Sequence, residues 1–176
     1  MSALEQSNAS PIRVNTISVG LPTFDLTSKT TSTLAVTATV TVFDKSALVW
    51  IGVTSTTPTP KSALPVMGPL TVSFPKTFDN SPLPPFTQLL GSSSSSEAEG
   101  LEEGETAGNM IASRLAKATK WPIFVTTSLR PPSGVQMGGE EERAIAGAKR
   151  TCERQVAEYL KSLSSEAENT NTNHII

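Results

Sequence analysis

The segment TAGNMIASRLAKATKWPIFVTTSL, residues 106–129, predicts an amphipathic helix that runs directly into a β-strand. Its apolar helix face would consist of Ala107, Met110, Ile111, Leu115 and Ala118, which recur at helical spacing. Glutamates precede the helix and basic residues close it, as the helix dipole favours, and Thr106 is the expected N-cap. Pro122 ends the helix because proline disfavours α geometry in the preceding residue. The β-branched and aromatic residues that follow predict a strand.

Residues 33–43 (TLAVTATVTVF) predict a strand with two contrasting faces. Successive side chains of a strand point to opposite sides of the sheet, so one face here is aliphatic and the other is mostly threonine. The aliphatic face consists of Leu34, Val36, Ala38, Val40 and Val42. The face with Thr37, Thr39 and Thr41 is left either for a partner or for cover by loops of the chain itself.

Residues 47–53 (ALVWIGV) predict a second strand, joined to the first by a short turn. Leu48 and Trp50 lie on one face of this strand, and three β-branched residues lie on the other. A half-solvated sheet does not usually carry a tryptophan opposite three β-branched residues, so both faces of the strand need cover. We therefore expect a layer on each side of the sheet.

The remaining elements complete an α+β order. Further strands are predicted within residues 11–20, 66–74 and 86–90, with Pro69 tolerated only at an edge, a bulge or a strand start. Residues 140–163 carry a continuous apolar stripe at helical spacing and predict the longest helix. We expect an α+β fold with a sheet of about six mainly antiparallel strands, two helices on one face, and the other face available for a partner sheet.

The domain boundaries follow from composition. A chain of 176 residues suits one domain, which we place at residues 11–163. Residues 1–10 and 164–176 are polar and are predicted to be a flexible N-terminus and a flexible tail. The Ser/Glu-rich residues 92–105 lack a hydrophobic pattern and are predicted to be a disordered insertion.

The charge and residue counts argue against several functions. A net charge of −2 does not favour nucleic acid or anionic lipid as a partner, and no apolar run is long enough to cross a membrane. Cys152 is the only cysteine, which fits a reducing compartment, and it is predicted to be buried. We expect a cytoplasmic protein, with the nucleus as a second location.

Catalytic and metal-binding signatures are also missing from the sequence. The one histidine, His174, lies near the C-terminus, which argues against histidine acid/base chemistry and a Ser/His/Asp triad. The glycine pair before the last helix lacks the Lys-Ser/Thr of a phosphate-binding loop, and the acidic run lacks the spacing of a calcium loop. We expect no enzyme activity, no catalytic residue, no metal and no cofactor.

Basic residues on the last helix form a second candidate binding surface. Arg143, Arg150, Arg154 and Lys161 are spaced 7, 4 and 7 apart, which groups them on one side of the helix, away from its apolar stripe. This side is either an ordinary solvated face or a surface for an acidic protein partner. Trp121, beside Pro122, is expected to be in the core rather than in a contact.

Taken in order, several motifs resemble the proteasome assembly chaperone 4 family. They are residues 48–52 (LVWIG), 89–91 (LLG), 112–120 (ASRLAKATK) and 123–126 (IFVT), followed by a last helix that ends AEYLKSL. The resemblance spans about residues 11–163. Compared with the shorter animal members, this chain adds a proline-rich segment near residues 82–85, the Ser/Glu insertion and the polar tail, which resembles fungal-type elaboration.

The resemblance implies a non-enzymatic chaperone that forms a heterodimer with a proteasome assembly chaperone 3 homologue. In that family the pair promotes assembly of the α-subunit ring of the 20S core particle, binds the α5 subunit and leaves before maturation. The family's sheets face each other, which implies a partner surface at Thr37, Thr39, Thr41, Leu48 and Trp50. Arg143, Arg150, Arg154 and Lys161 are the candidates for contact with the α subunit. The alternative is a small dimerising α+β adaptor of another complex.

Overall fold

The computed structural model describes residues 12–21, 34–55, 68–75, 83–90, 101–129 and 139–172. Within these ranges the chain forms one six-stranded sheet and two helices. In chain order the elements are β1 (Arg13–Gly20), β2 (Leu34–Val42), β3 (Ala47–Ser55), β4 (Leu70–Ser73), β5 (Phe86–Leu90), α1 (Leu101–Thr119), β6 (Ile123–Ser128) and α2 (Gly139–Thr172). The predicted α+β class and the predicted strand number are confirmed.

The sheet has the strand order β1-β2-β3-β6-β4-β5. Neighbouring strands are antiparallel except β3 and β6, which are parallel with Ala47 opposite Ile123. Parallel pairing is possible here because a long crossover through β4, β5 and α1 separates the two strands. β4 lies between β6 and β5 and starts just after Pro69, so this proline precedes the ladder instead of interrupting it.

One side of the sheet packs on both helices and forms the core. α2 lies over β1 and β2, and α1 lies over β6 and β4. The buried residues on this side of the central strands include Val36, Ala38, Val40, Val42, Val49, Ile51, Ile123 and Val125. They include the aliphatic face predicted for β2, so the predicted orientation of this strand is confirmed.

The helices contribute their own apolar stripes to this core. On α2 the predicted stripe is confirmed by the burial of Ile145, Ala148, Cys152, Val156 and Leu160. On α1 the stripe is rotated from the prediction: Met110 is 45% exposed, whereas Ala112 and Ala116 are buried. Alanine fits either side of a helix, and these small side chains allow the helix to approach the sheet closely.

The junction between α1 and β6 is held by local hydrogen bonds. The Thr119 hydroxyl donates to the Leu115 carbonyl at 2.9 Å and accepts from the Trp121 backbone N–H at 3.2 Å. Lys120 has a φ of 62°, the left-handed conformation that commonly ends a helix. The turn places Trp121 in the core with 8% of its surface exposed, as predicted.

Both helices are longer than predicted. α1 begins at Leu101 instead of near Thr106, so residues 101–105, assigned to the insertion, are helical. Glutamates in a first turn are good helix formers and favour the helix dipole, which explains the earlier start. α2 continues to Thr172, so residues 164–172, assigned to the tail, are also helical. Residues 1–10, 92–100 and 173–176, the rest of the segments predicted to be flexible or disordered, lie outside the described ranges.

Candidate functional site

The sheet side opposite the helices holds every residue predicted for a partner sheet. The strand register places Thr39 opposite Trp50 and Thr41 opposite Leu48, with Thr37 opposite Gly52 on the same side. These threonines, Leu48 and Trp50 are only partly buried, whereas the alternating residues beneath them are fully buried. We call this side, defined by Thr37, Thr39, Thr41, Leu48 and Trp50, the open face. Their common location was predicted, whereas their role in binding stays a prediction.

A row of hydroxyl groups crosses the open face over three strands. The Ser18 hydroxyl lies 3.1 Å from that of Thr37, which lies 2.9 Å from that of Thr54. Thr54 in turn donates to the backbone carbonyl of Ala35 at 3.4 Å. The hydroxyls are therefore oriented by one another before any partner binds. The sequence did not single out Ser18 or Thr54, because their proximity to Thr37 depends on the pairing register.

Trp50 lies flat across Gly52 on the open face. A Cβ atom at Gly52 would lie 2.3 Å from Cζ2 of Trp50 and 2.6 Å from Cη2, so the indole occupies the space that a side chain would fill. The indole Nε1–H is buried and has no hydrogen-bond partner among the described residues. Glycine two residues after tryptophan on one strand face is the sequence signal for this arrangement, since only glycine leaves room for the ring.

The open face continues onto β1 with an exposed aliphatic residue. Val14 pairs with Thr41, which places it on the same side of the sheet, and 65% of its surface is exposed. The sequence predicted β1 as a strand but not this residue as part of a surface. Together with Leu48 and Trp50, Val14 makes the open face partly apolar.

The four basic residues predicted as a binding surface are all exposed on α2. Their side chains form no hydrogen bond or ion pair within the described part of the chain. The structure divides them into two sets. Arg150 and Arg154 line a groove between α1 and α2, whereas Arg143 and Lys161 lie outside it.

The groove between the helices also contains an ion pair that the sequence did not predict. Arg114 of α1 donates from Nε to Oε1 of Glu153 at 2.6 Å and from Nη2 to Oε2 at 2.8 Å. The Glu153 side chain is 13% exposed and that of Arg114 is 42% exposed. Both oxygens of Glu153 are thus bound by Arg114. Sequence spacing gave no signal for this pair, because the residues lie on different helices.

Cys152 lies at the interface of α2 and the sheet and is fully buried. Burial raises the pKa of its thiol from the ordinary value of 9.0 to about 11, and a hydrogen bond with the backbone of Ala38 lowers the pKa by a smaller amount. The thiol is therefore protonated and neutral near neutral pH. A reactive cysteine would instead have a lowered pKa. The predicted role as a small buried apolar residue is confirmed.

The described ranges contain neither a metal-binding cluster nor a membrane-spanning helix. No group of three or more His, Cys, Asp and Glu residues there could hold a metal ion. None of the helices in these ranges is long and apolar enough to cross a membrane.

In the described ranges the chain is an α+β domain with a basic groove on its helical side and, on the other side of the sheet, a face of hydroxyl, aromatic and aliphatic groups that neither α1 nor α2 covers. Such surfaces suit contacts with other proteins. Residues 35–129 match the family model "Proteasome assembly chaperone 4". The match covers more than half of the chain, and the chain belongs to this family. Family membership supports a role as a proteasome assembly chaperone.

The chain is also similar to a protein of solved structure. The fold is similar to a chain of the "Crystal Structure of a Novel Chaperone Complex for Yeast 20S Proteasome Assembly", with 17% sequence identity and a TM-score of 0.46. That similarity covers 85% of this chain and 96% of the other. No curated protein matches the chain.

Proposed function

We propose that the chain acts in a heterodimer with a proteasome assembly chaperone 3 homologue, joined through the open face. The pair would promote assembly of the α-ring of the 20S core particle by binding an α subunit, α5, and would leave before maturation. The cytoplasm, and also the nucleus, are the proposed locations. The observation that carries this proposal is the partial exposure of Trp50 and Leu48 on the sheet side that neither of the described helices covers.

Burial of the open face would supply most of the free energy of pairing. Leu48, Trp50 and Val14 present apolar surface there, and each square ångström of it that is buried contributes roughly 25 cal/mol. Aromatic residues near the centre of an interface contribute more than their share of binding energy. Because Trp50 already packs across Gly52, little side-chain entropy is lost when a partner covers it.

The row of hydroxyl groups would select the register in which the partner binds. Ser18, Thr37 and Thr54 are already hydrogen-bonded to one another, so a partner strand meets an ordered set of donors and acceptors. Interfaces of this kind combine an apolar centre with about one hydrogen bond per 100–200 Å². A partner with the wrong register would leave hydroxyl groups buried without partners, which costs free energy.

The basic side of α2 is the proposed contact for the α subunit. Arg143, Arg150, Arg154 and Lys161 are exposed and have no internal counter-charge among the described residues. Exposed charges speed association and set specificity more than they add to affinity. A contact of this type fits a chaperone that must leave its client.

The test is to place a negative charge on the open face. In Thr39→Glu and Trp50→Asp, the charge would have to be desolvated on pairing, so we expect the heterodimer with a purified chaperone 3 homologue to be lost. Size-exclusion chromatography with light scattering measures the mass. Gln155→Glu adds the same charge on the exposed surface of α2 and should leave the mass unchanged.

Circular dichroism of each variant separates failed pairing from failed folding. An unchanged heterodimer mass in both folded open-face variants would contradict the proposed interface. If the folded wild-type chain pairs instead with a subunit of an unrelated complex and not with the chaperone 3 homologue, the adaptor function is correct. Family membership favours the chaperone.

A further inference from the structure

The groove between α1 and α2 is a positively charged site with an apolar floor. Its volume is about 540 Å³, and it is open to solvent. Ala118 and Ala157 contribute apolar surface with the buried Leu115 beneath them, and Arg114, Arg150 and Arg154 supply three guanidinium groups. The protein as a whole carries a net charge of −2, so this concentration of positive charge is local.

The arginines of the groove are unequally neutralised. Glu153 is the carboxylate of the groove, and both of its oxygens are bound by Arg114. Arg150 and Arg154 have no ion pair among the described residues. These two arginines are four residues apart on one helix, where like charges repel and destabilise the helix. An incoming carboxylate would relieve this repulsion.

We infer that this groove binds an acidic segment of a partner protein, with its carboxylates held by Arg150 and Arg154. Guanidinium groups bind carboxylates through two parallel hydrogen bonds, and arginines one helical turn apart match acidic residues with the same spacing. The apolar floor then accommodates the aliphatic part of the segment. The inference rests on the proposed function only in naming an α-ring subunit as the source of the segment.

Glu153 has a second role in this arrangement. Its negative charge repels incoming carboxylates, and both of its oxygens are bound by Arg114, so Arg114 is not available to them. The Arg114–Glu153 pair therefore limits affinity and allows release of the partner. Arg143 and Lys161 lie outside the groove and do not line this site.

The inference is tested directly with a fluorescein-labelled helical peptide. The peptide carries two glutamates four residues apart and a leucine between them, and its binding is measured. Its glutamine counterpart serves as the neutral probe. With the full-length chain, we expect Arg150→Gln/Arg154→Gln to weaken binding of the acidic peptide by about tenfold or more. Lys45→Gln/Lys120→Gln removes the same charge at exposed positions outside the groove and should weaken it by less than about threefold.

A second pair of variants tests the role of Glu153. Glu153→Gln should tighten binding of the acidic peptide severalfold, because it releases Arg114 and removes the repelling negative charge. Glu158→Gln makes the same charge change at an exposed position outside the groove lining and should have little effect. Circular dichroism establishes that each variant is folded.

Several outcomes would overturn the inference. Equal losses in the two double variants would indicate non-specific attraction to positive charge. Equal affinity for the acidic and glutamine peptides, or no binding of either at low salt, would show that the groove is not a carboxylate-binding site. Displacement of the peptide by inorganic phosphate at similar concentration would indicate a general anion site. None of these results depends on the heterodimer, so the proposed function can fail or hold independently.

Discussion

Gly68 lies against the backbone of β6 more closely than any side chain would allow. A Cβ atom there would be 1.8 Å from the carbonyl oxygen of Thr127, and the Gly68 carbonyl accepts a hydrogen bond from the Thr126 hydroxyl at 2.9 Å. This close approach brings the chain into β4 alongside β6. Glycine is required here by space, since the obstacle is backbone and cannot rotate away.

Gly68→Ala should therefore destabilise the fold by about 2 kcal/mol or more, because the segment must move away from β6 and lose the Thr126 hydrogen bond. Gly147→Ala is the matched control. Gly147 is exposed in the middle of α2 and a Cβ atom there meets nothing within 4 Å. Its replacement should stabilise by about 0.5–1 kcal/mol through helix propensity. Urea denaturation measures both, and equal effects of the two variants would contradict the close approach.

Cys152 gives the stability a dependence on alkaline pH. Its thiol has a pKa of about 11 when folded and 9.0 as the ordinary value. The folded state thus holds the proton more tightly, so the stabilisation is complete below pH 9 and is lost as the pH rises towards 11. The loss should reach roughly 2 to 3 kcal/mol, since one pKa unit corresponds to about 1.4 kcal/mol.

The measurement is the free energy of unfolding between pH 8 and 11 for the wild-type chain and Cys152→Ala. Other alkaline groups titrate in both proteins, so the difference between the two curves isolates the thiol. We expect the wild-type advantage to shrink across this range. Parallel curves would show that the thiol ionises equally in the folded and unfolded chains.

At the scale of elements, the Arg114–Glu153 pair is a polar link between α1 and α2. Its bidentate geometry and the partial burial of Glu153 place the interaction energy of this pair at the upper end of the range for surface ion pairs. Screening keeps the energy within that range, because Arg114 is 42% exposed. A double-mutant cycle with Arg114→Gln and Glu153→Gln should give a coupling energy of about 0.5–1 kcal/mol. This coupling should decrease in 1 M salt, and a salt-independent value would indicate packing instead of charge.

Individual elements were predictable from sequence wherever composition contrasts between faces. β2 alternates aliphatic residues with threonine, and β3 places Trp50 opposite three β-branched residues, so the faces of both strands were assigned correctly. Helix ends were less predictable, because the polar residues after Leu163 continue α2 without an apolar stripe. Ser164 and Ser165 satisfy their hydroxyl groups within the helix by donating side-chain hydrogen bonds to backbone carbonyls three residues earlier.

The arrangement between elements was not predictable from local patterns. Nothing near β3 or β6 in sequence specifies that they pair in parallel, since the pairing depends on how the intervening elements fold. The Arg114–Glu153 pair and the groove also require α1 and α2 to be neighbours. The basic residues of α2 were recognised as one surface because they share one helix. Their division into residues that line the groove and residues that lie outside it depends on the position of α1, which the sequence did not predict.

At the scale of the whole molecule, the proposed pairing links stability to the partner's concentration. A partner that binds only the folded chain at 100 times its dissociation constant adds about 2.7 kcal/mol to the stability. We expect the thermal midpoint of the chain to rise with added chaperone 3 homologue. Trp50→Asp should abolish this rise, whereas Gln155→Glu should preserve it. A midpoint that is independent of the partner in the wild type would contradict pairing.

The parallel pairing of β3 with β6 also has a consequence for synthesis on the ribosome. β1, β2 and β3 are consecutive and can pair as soon as they emerge, but β6 completes the sheet only after the long crossover has been translated. Until then β3, whose sequence is ALVWIGVTS, is the outer strand of a nascent three-stranded sheet. An unpaired apolar edge promotes association between chains. This assembly factor is therefore itself most prone to aggregation while its own translation is incomplete.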